Sequence, residues 1–346
     1  IEQKAARNEG KFLGVGFSTY IESCGLAPSA WVGVGENGEG WGAGLWESAN
    51  IRIHLTGKAV VTTGSSPHGQ GTETTMAQIA ADELGLPIED VEVKYNDTLG
   101  TPFGYGTYGS RSAAVGGAAL FNAVQKVKQK AVRIGAHMLE ASPDDVVFED
   151  GKVSVKGSPD QAKTIQEIAG AAALGYSLPE GDEPFLDETA YFDPPNTTWP
   201  FGTHICVVEV EKDTGSVMVK KYLAVDDVGN VVNPMIVDGQ IHGGIAQGVA
   251  QALWESGEYN ESGQLVSGSM MDYAIPRTDC LPSFELDRTV TPSPTNPLGV
   301  KGVGETGTIA STPAVVNAVM DALSPFGVTH LDMPLTSQKI WNAIQS

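Results

Sequence analysis

Cysteine is scarce: Cys24, Cys206 and Cys280 stand far apart in a chain of 346 residues. No CxxC pair occurs, so neither a zinc site nor a cysteine-ligated cluster within this chain is supported. The odd, scattered count suits reduced thiols, and cytoplasm is the expected location. Basic charge is scarce as well. Against 42 acidic residues stand only 21 Lys and Arg, a formal charge of −21. With no basic stripe to neutralise phosphates, nucleic acid is excluded as a partner, and the acidity reads as a self-repelling, soluble surface. No apolar run reaches the roughly 18 residues that a membrane span needs. The opening "IEQKAARNEGKFLGVGF" has neither Met nor a signal peptide and reads as a helix end running into a strand, as in a piece cut from a longer polypeptide.

Glycine is abundant, with 42 residues, many of them in short motifs. That pattern places much backbone in tight turns or close to a ligand. A hydrophobic content of 41% with 18% charged residues is globular, and the length suits two domains or one large one.

Residues 11–20 and 50–64 alternate or run apolar as strands, with "TGK" as a hairpin turn. "GQGTETTMAQIAADELGLP" predicts a helix stopped by Gly85 and Pro87. A strand "VEVKYND", a long helix over about 112–140, a hairpin at 145–156 and a short helix opening at Thr164 follow. Thr164 and Glu167 have capping-box spacing. Residues 176–203, rich in Pro, Gly, Asp and aromatics, form a linker or excursion between a first lobe, 1–175, and a second, 204–346. The second lobe carries a hairpin turning at "DTG", a helix over about 235–254, a strand near 283–290 and helices near 313–323 and 335–345. Mixed strands, helices and antiparallel hairpins make the class α+β. No internal repeat is found.

Four segments carry candidate chemistry. In "TTGSSPHGQGTETT", Gly69, Gln70, Gly71 and Thr72 lie where a strand opens into a helix. Free N–H groups there suit an anion, although an ordinary polar helix start reads the same way. It is not the dinucleotide fingerprint, which needs a third glycine in register. In "GTPFGYGTYGSRSAAVGG", Ser110, Arg111 and Ser112 open the long helix, as a phosphate cradle or as a Ser cap with a solvent-facing Arg. "NPMIVDGQIHGGIAQG" brings Gln240, His242 and Gln247 together, and such amides suit a heterocycle. A lone His242 reads as structural. "VKGVGETGT" sets Glu305 among Gly302, Gly304 and Gly307: a turn acid, or a water-shielded carboxylate with a raised pKa that serves as general base.

In this order, "HGQGTETT", "GTYGSRS", "NPMIVDGQIHGGIAQG" and "KGVGETGT" resemble the second half of the molybdenum-binding large subunit of the xanthine oxidase family. The aerobic carbon monoxide dehydrogenase-like branch is most similar. The resemblance implies the molybdopterin-binding fold of the aldehyde oxidase/xanthine dehydrogenase type. It also implies a molybdenum–molybdopterin cofactor, in bacteria usually the cytosine dinucleotide form, with the metal held by the pterin and not by protein side chains. By motif match, Gln70 contacts the pterin or lies beside the molybdenum ligands. Ser110 to Ala114 (Ser110, Arg111, Ser112, Ala113, Ala114) cradle the pterin and its phosphates, and Gln247 bonds the pterin. Lys301, Gly302, Val303 and Gly304 bring backbone to the cofactor, the glycines letting it press close. Glu305 falls on the family's catalytic base.

The implied reaction is hydroxylation of an aldehyde or N-heterocycle, with electrons leaving through iron–sulfur (2Fe–2S) clusters to FAD. The expected partners are the first half of the molybdenum subunit, an iron–sulfur subunit and a flavin subunit, assembled as a dimer of heteromers. The first molybdenum domain has no counterpart in this sequence. Carbon monoxide oxidation therefore stays an alternative, as does a non-catalytic cofactor-binding or assembly module.

Overall fold

A computed structural model describes residues 1–33, 40 and 42–346. A short helix α1 (Glu2–Arg7) leads into β1 (Lys11–Ile21); then come β2 (Glu47–Ile53), β3 (Ala59–Thr63), α2 (Thr72–Leu84) and β4 (Val91–Lys94). A π-helical turn over Ser112–Gly117 opens α3 (Ala118–Met138). Next are β5 (Val146–Glu149), β6 (Lys152–Val155), β7 (Ser158–Thr164), α4 (Ile165–Leu174) and β8 (Leu186–Phe192). The remainder is β9 (Phe201–Glu211), β10 (Val217–Asp227), α5 (Pro234–Leu253), β11 (Phe284–Thr289), α6 (Thr306–Leu323) and α7 (Ser337–Gln345).

The strands form sheets of order β1-β9-β10-β11, β4-β3-β2-β8 and β5-β6-β7. In the first, Phe17 faces Ile205, which faces Leu223 on the next strand. Its inner face packs on α5 and α6 through Val208, Val210, Tyr222, Ile241, Ile245 and Val319. The second sheet packs on α2 and α3 through Ile51, Val61, Met76, Leu120 and Val124. Two cores therefore sit side by side.

Sequence patterning and structure agree on most elements, including the capping box of Thr164 and Glu167. The lobe boundaries differ. Strand β1, from the N-terminal part, pairs along its whole length with β9. Gly14 and Gly16 let α6 pack directly on this strand, because a Cβ at either would collide with α6 backbone at Ala318 and Ala314. The stretch 176–203 is no simple linker either, since β8 within it completes the second sheet beside β2. Helix α6 starts at Thr306 rather than near 313, with Pro313 inside it. Buried contact with α5 sustains that glycine- and threonine-rich start: a Cβ at Gly307 would meet the Ile241 carbonyl and Gly244.

Candidate active site

The starts of α2, of the Ser112–Gly117 turn, of α5 and of α6 converge on one cavity of about 350 Å³. Unpaired N–H groups and aligned peptide dipoles make each helix start attractive to anions. Loop residues lock these starts together. Asn233 caps α5 by accepting from the Ile236 N–H (3.1 Å) and donates to Gln78 of α2 (3.1 Å). Thr107 and Ser112 join hydroxyls at 2.8 Å.

The segment ending in Glu305 is pinned beside the cavity. Lys301 N–H donates to the Val228 carbonyl (2.8 Å), and its buried ammonium donates to Asp227 (2.7 Å) while lying over the Phe201 ring. Burial alone would raise the Asp227 carboxyl. Lys301, together with hydrogen bonds from the Gly229 N–H and the threonine hydroxyls, outweighs it and holds the group below its ordinary value. At the cavity edge, Ser110 Oγ donates to Glu305 Oε2 at 2.9 Å.

Of the expected site residues, Gln70, Thr72, Ser110, Ser112 and Ala113 line this cavity, as do Gln240, Lys301, Gly302, Val303, Gly304 and Glu305. Gly69, Gly71, Arg111, Ala114 and Gln247 do not line it. The Gln70 amide folds onto its own loop, accepting from the His68 N–H (2.6 Å) and donating to the Ser66 carbonyl (3.3 Å). Gln247, two turns along α5 on the same face as Gln240, is exposed and lies beyond the cavity lining. His242 is exposed too, edge-on to Phe284, as a structural histidine.

Arg111 is wholly buried and neither cradles an anion nor faces solvent. Its guanidinium donates to Glu47 and to the carbonyls of Leu45, Trp46 and Gly106. Glu47 in turn accepts from the Tyr105 and Gly106 N–H groups. Burial pushes the Glu47 carboxyl up, and Arg111 opposes that shift. The pair therefore clamps the 103–111 loop to the start of β2 and presents Ser110 and Ser112 to the cavity. Glu47 carries no local motif, and its partner lies 64 residues away; burial at a strand start gave no sequence signal.

The glycines around Glu305 answer mostly to protein, not to a ligand. A Cβ at Gly302 would strike Ser110 and Cys24, and one at Gly307 would strike α5. Glu305 itself is exposed, so this chain does not provide the water-shielded setting expected for it. The partly buried carboxyl nearby belongs to Glu22, which sequence reasoning missed because it lies just past the end of β1.

Residues 1–282 match the model of the molybdopterin cofactor-binding domain family. The chain belongs to that family. It is 43% identical to the carbon monoxide dehydrogenase large chain of Hydrogenophaga pseudoflava, over 99% of this chain and 42% of that protein. Identity to the nicotine 6-hydroxylase large subunit of Paenarthrobacter nicotinovorans is 39%, over 99% of this chain and 41% of that one. The crystal structure of quinoline 2-oxidoreductase from Pseudomonas putida 86 superposes with a TM-score of 0.91 at 39% identity, covering 99% of this chain and 43% of that chain. The chain thus spans less than half the length of these relatives. The molybdopterin-binding family read from the four motifs, and the α+β class read from the mixed strands, helices and hairpins, are both borne out.

The cavity's donor set fits a molybdopterin. Gln240 offers an amide suited to a pterin heterocycle, while those of Asn230 and Asn233 are engaged by Leu298, Gln78 and Ile236. Hydroxyls of Thr72 and Ser112 and the helix starts suit phosphate. Lys301, the cation on the lining, is committed to Asp227, so anion binding falls to N–H and O–H groups.

Proposed function

We propose that this chain forms the second half of the molybdopterin-binding large subunit of a molybdenum hydroxylase, with Glu305 as general base. The observation that carries the reading is the placement of Glu305 at a cavity into which four helix starts point, its carboxylate held by Ser110. When bound, the molybdenum cofactor supplies the oxidising centre for hydroxylation. Glu305 removes the proton of the oxygen nucleophile, an effect of order 10²–10⁴ in rate. Ser110 fixes the base's direction; Gln240, Thr72 and Ser112 hold the pterin and its phosphates. The anion-seeking helix starts support the dinucleotide form of the cofactor, which carries additional phosphate.

The substrate class we infer is an N-heterocycle or aldehyde, supported by the nicotine and quinoline enzymes among the relatives. Carbon monoxide oxidation is the second reading, favoured by the 43% identity to a carbon monoxide dehydrogenase large chain. The presence of Glu305 at the cavity argues for an enzyme over a non-catalytic module. The outer face of the first sheet exposes Phe17, Ile21, Phe201 and Val225, an apolar surface suited to burial under the rest of the large subunit. Iron–sulfur and flavin subunits complete the assembly as electron carriers, in a cytoplasmic dimer of heteromers. No described helix is long and apolar enough to cross a membrane.

Elemental analysis of the native assembly tests this. Near-stoichiometric molybdenum with iron, and polypeptide covering the other half of the large subunit, is the expected result. A folded assembly without molybdenum would contradict the reading.

A further inference from the structure

Beside Glu305 lies a second carboxyl group. Glu22 follows directly on β1, and one ligand atom each of Glu22, Cys24 and Glu305 fall within 4.8 Å of one another. Oε2 of Glu22 is buried and has no hydrogen-bond partner among the described residues. No Lys or Arg among the described residues pairs with either carboxyl group. The groups facing Glu22 are Cys24 on the segment that follows it, Tyr20 on β1 and Glu305 ahead of α6, the last held in turn by Ser110. Two carboxylates this close, without a cation, are costly when both are ionised, and one proton held between them relieves the repulsion. A bare buried carboxylate oxygen carries a further desolvation cost, which protonation removes.

We propose that Glu22 is a positioning residue for Glu305: the two carboxyl groups share one proton, and Glu22 thereby sets the pH range in which Glu305 can accept a proton. The proposal deepens the reading of Glu305 as base and rests on it. Burial is the largest influence on Glu22; a Cys24 hydrogen bond opposes it, Glu305's charge and hydrogen bond add to it, and the carboxyl is pushed up to about 7. The Cys24 thiol is pushed up by burial, so it stays protonated and able to donate. Below neutrality the pair keeps its proton. Above it both groups are ionised, and a proton arriving at Glu305 is drawn into the shared position.

The test uses the full assembly with the variants Glu22→Gln, Glu22→Asp and Glu305→Gln. Infrared titration of the neutral carboxylic-acid band reads the shared proton without turnover. Wild type should show an acid titrating near neutrality; Glu22→Gln should lose it, and Glu305→Gln should move it to lower pH. A band that persists unchanged in Glu305→Gln overturns the sharing. In turnover, Glu22→Gln should move the acid limb of kcat/KM to lower pH and lower kcat near neutrality by about 3- to 10-fold, with KM and molybdenum content unchanged; Glu22→Asp should restore part of the limb's position. A uniform loss at every pH, with the limb unmoved, marks a merely structural role and overturns the proposal. Full turnover in Glu305→Gln would refute the base reading instead, and the infrared titration separates the two failures.

Discussion

Ser110 donates its hydroxyl hydrogen to Glu305 across 2.9 Å, tying together segments 195 residues apart. One segment is the loop that Arg111 and Glu47 clamp from below; the other ends at the first turn of α6. The bond fixes the direction of an exposed carboxylate whose own backbone is glycine on the N-terminal side. Ser110 adopts φ +52°, a left-handed backbone that glycine accepts without strain. Ser110→Gly should therefore leave the fold intact and remove only the hydrogen bond. A charge-assisted hydrogen bond of about 1.5 kcal/mol corresponds to a fall in kcat of about 10-fold. Steady-state kinetics with KM and molybdenum content near wild type checks it; an unchanged kcat would remove Ser110 from the catalytic arrangement.

Gln240 and Gln247 share one helix, yet only Gln240 lines the cavity. Gln240→Ala should lower cofactor occupancy, read as molybdenum and pterin per large subunit, while Gln247→Ala should leave it unchanged. The reverse order would mean that the pterin lies elsewhere along α5.

Asp227 anchors the segment that carries Glu305, through the buried ammonium of Lys301. Its carboxyl is held below the ordinary value, so its contribution is present above the unfolded-state value and is lost as pH falls through the lowered one. Asp227→Asn leaves the ammonium buried and uncompensated, a cost of roughly 3–5 kcal/mol. Thermal melts should show a large gap between variant and wild type at neutral pH. That gap should narrow well below about pH 4, where carboxyl groups protonate. A gap independent of pH would argue that packing, not the ion pair, holds the segment.

The four motifs were legible because each is local: glycine beside amide or hydroxyl, at a strand-to-helix junction. The residues that make them one site were not. Arg111 looks from sequence like a phosphate ligand, and only the fold brings Glu47 beneath it. Gln247 shares the motif's composition and the helix face of Gln240 but lies two turns further along α5, beyond the cavity. Gly302 and Gly307 announce close approach without saying to what, and the answer is Ser110, Cys24 and α5. Strand β8 hid inside a Pro- and Gly-rich stretch because its pairing with β2 spans more than a hundred residues of chain. Glu22 gave no signal, since a carboxylate at a strand end is ordinary until another one is folded against it.

Glu305, as proposed, is the base at a molybdopterin site. Glu305→Gln in the full assembly, with molybdenum measured in the same preparation, tests it most directly. The expected result is full molybdenum occupancy with turnover reduced by about 10²–10⁴-fold. Turnover close to wild type at full occupancy would contradict it.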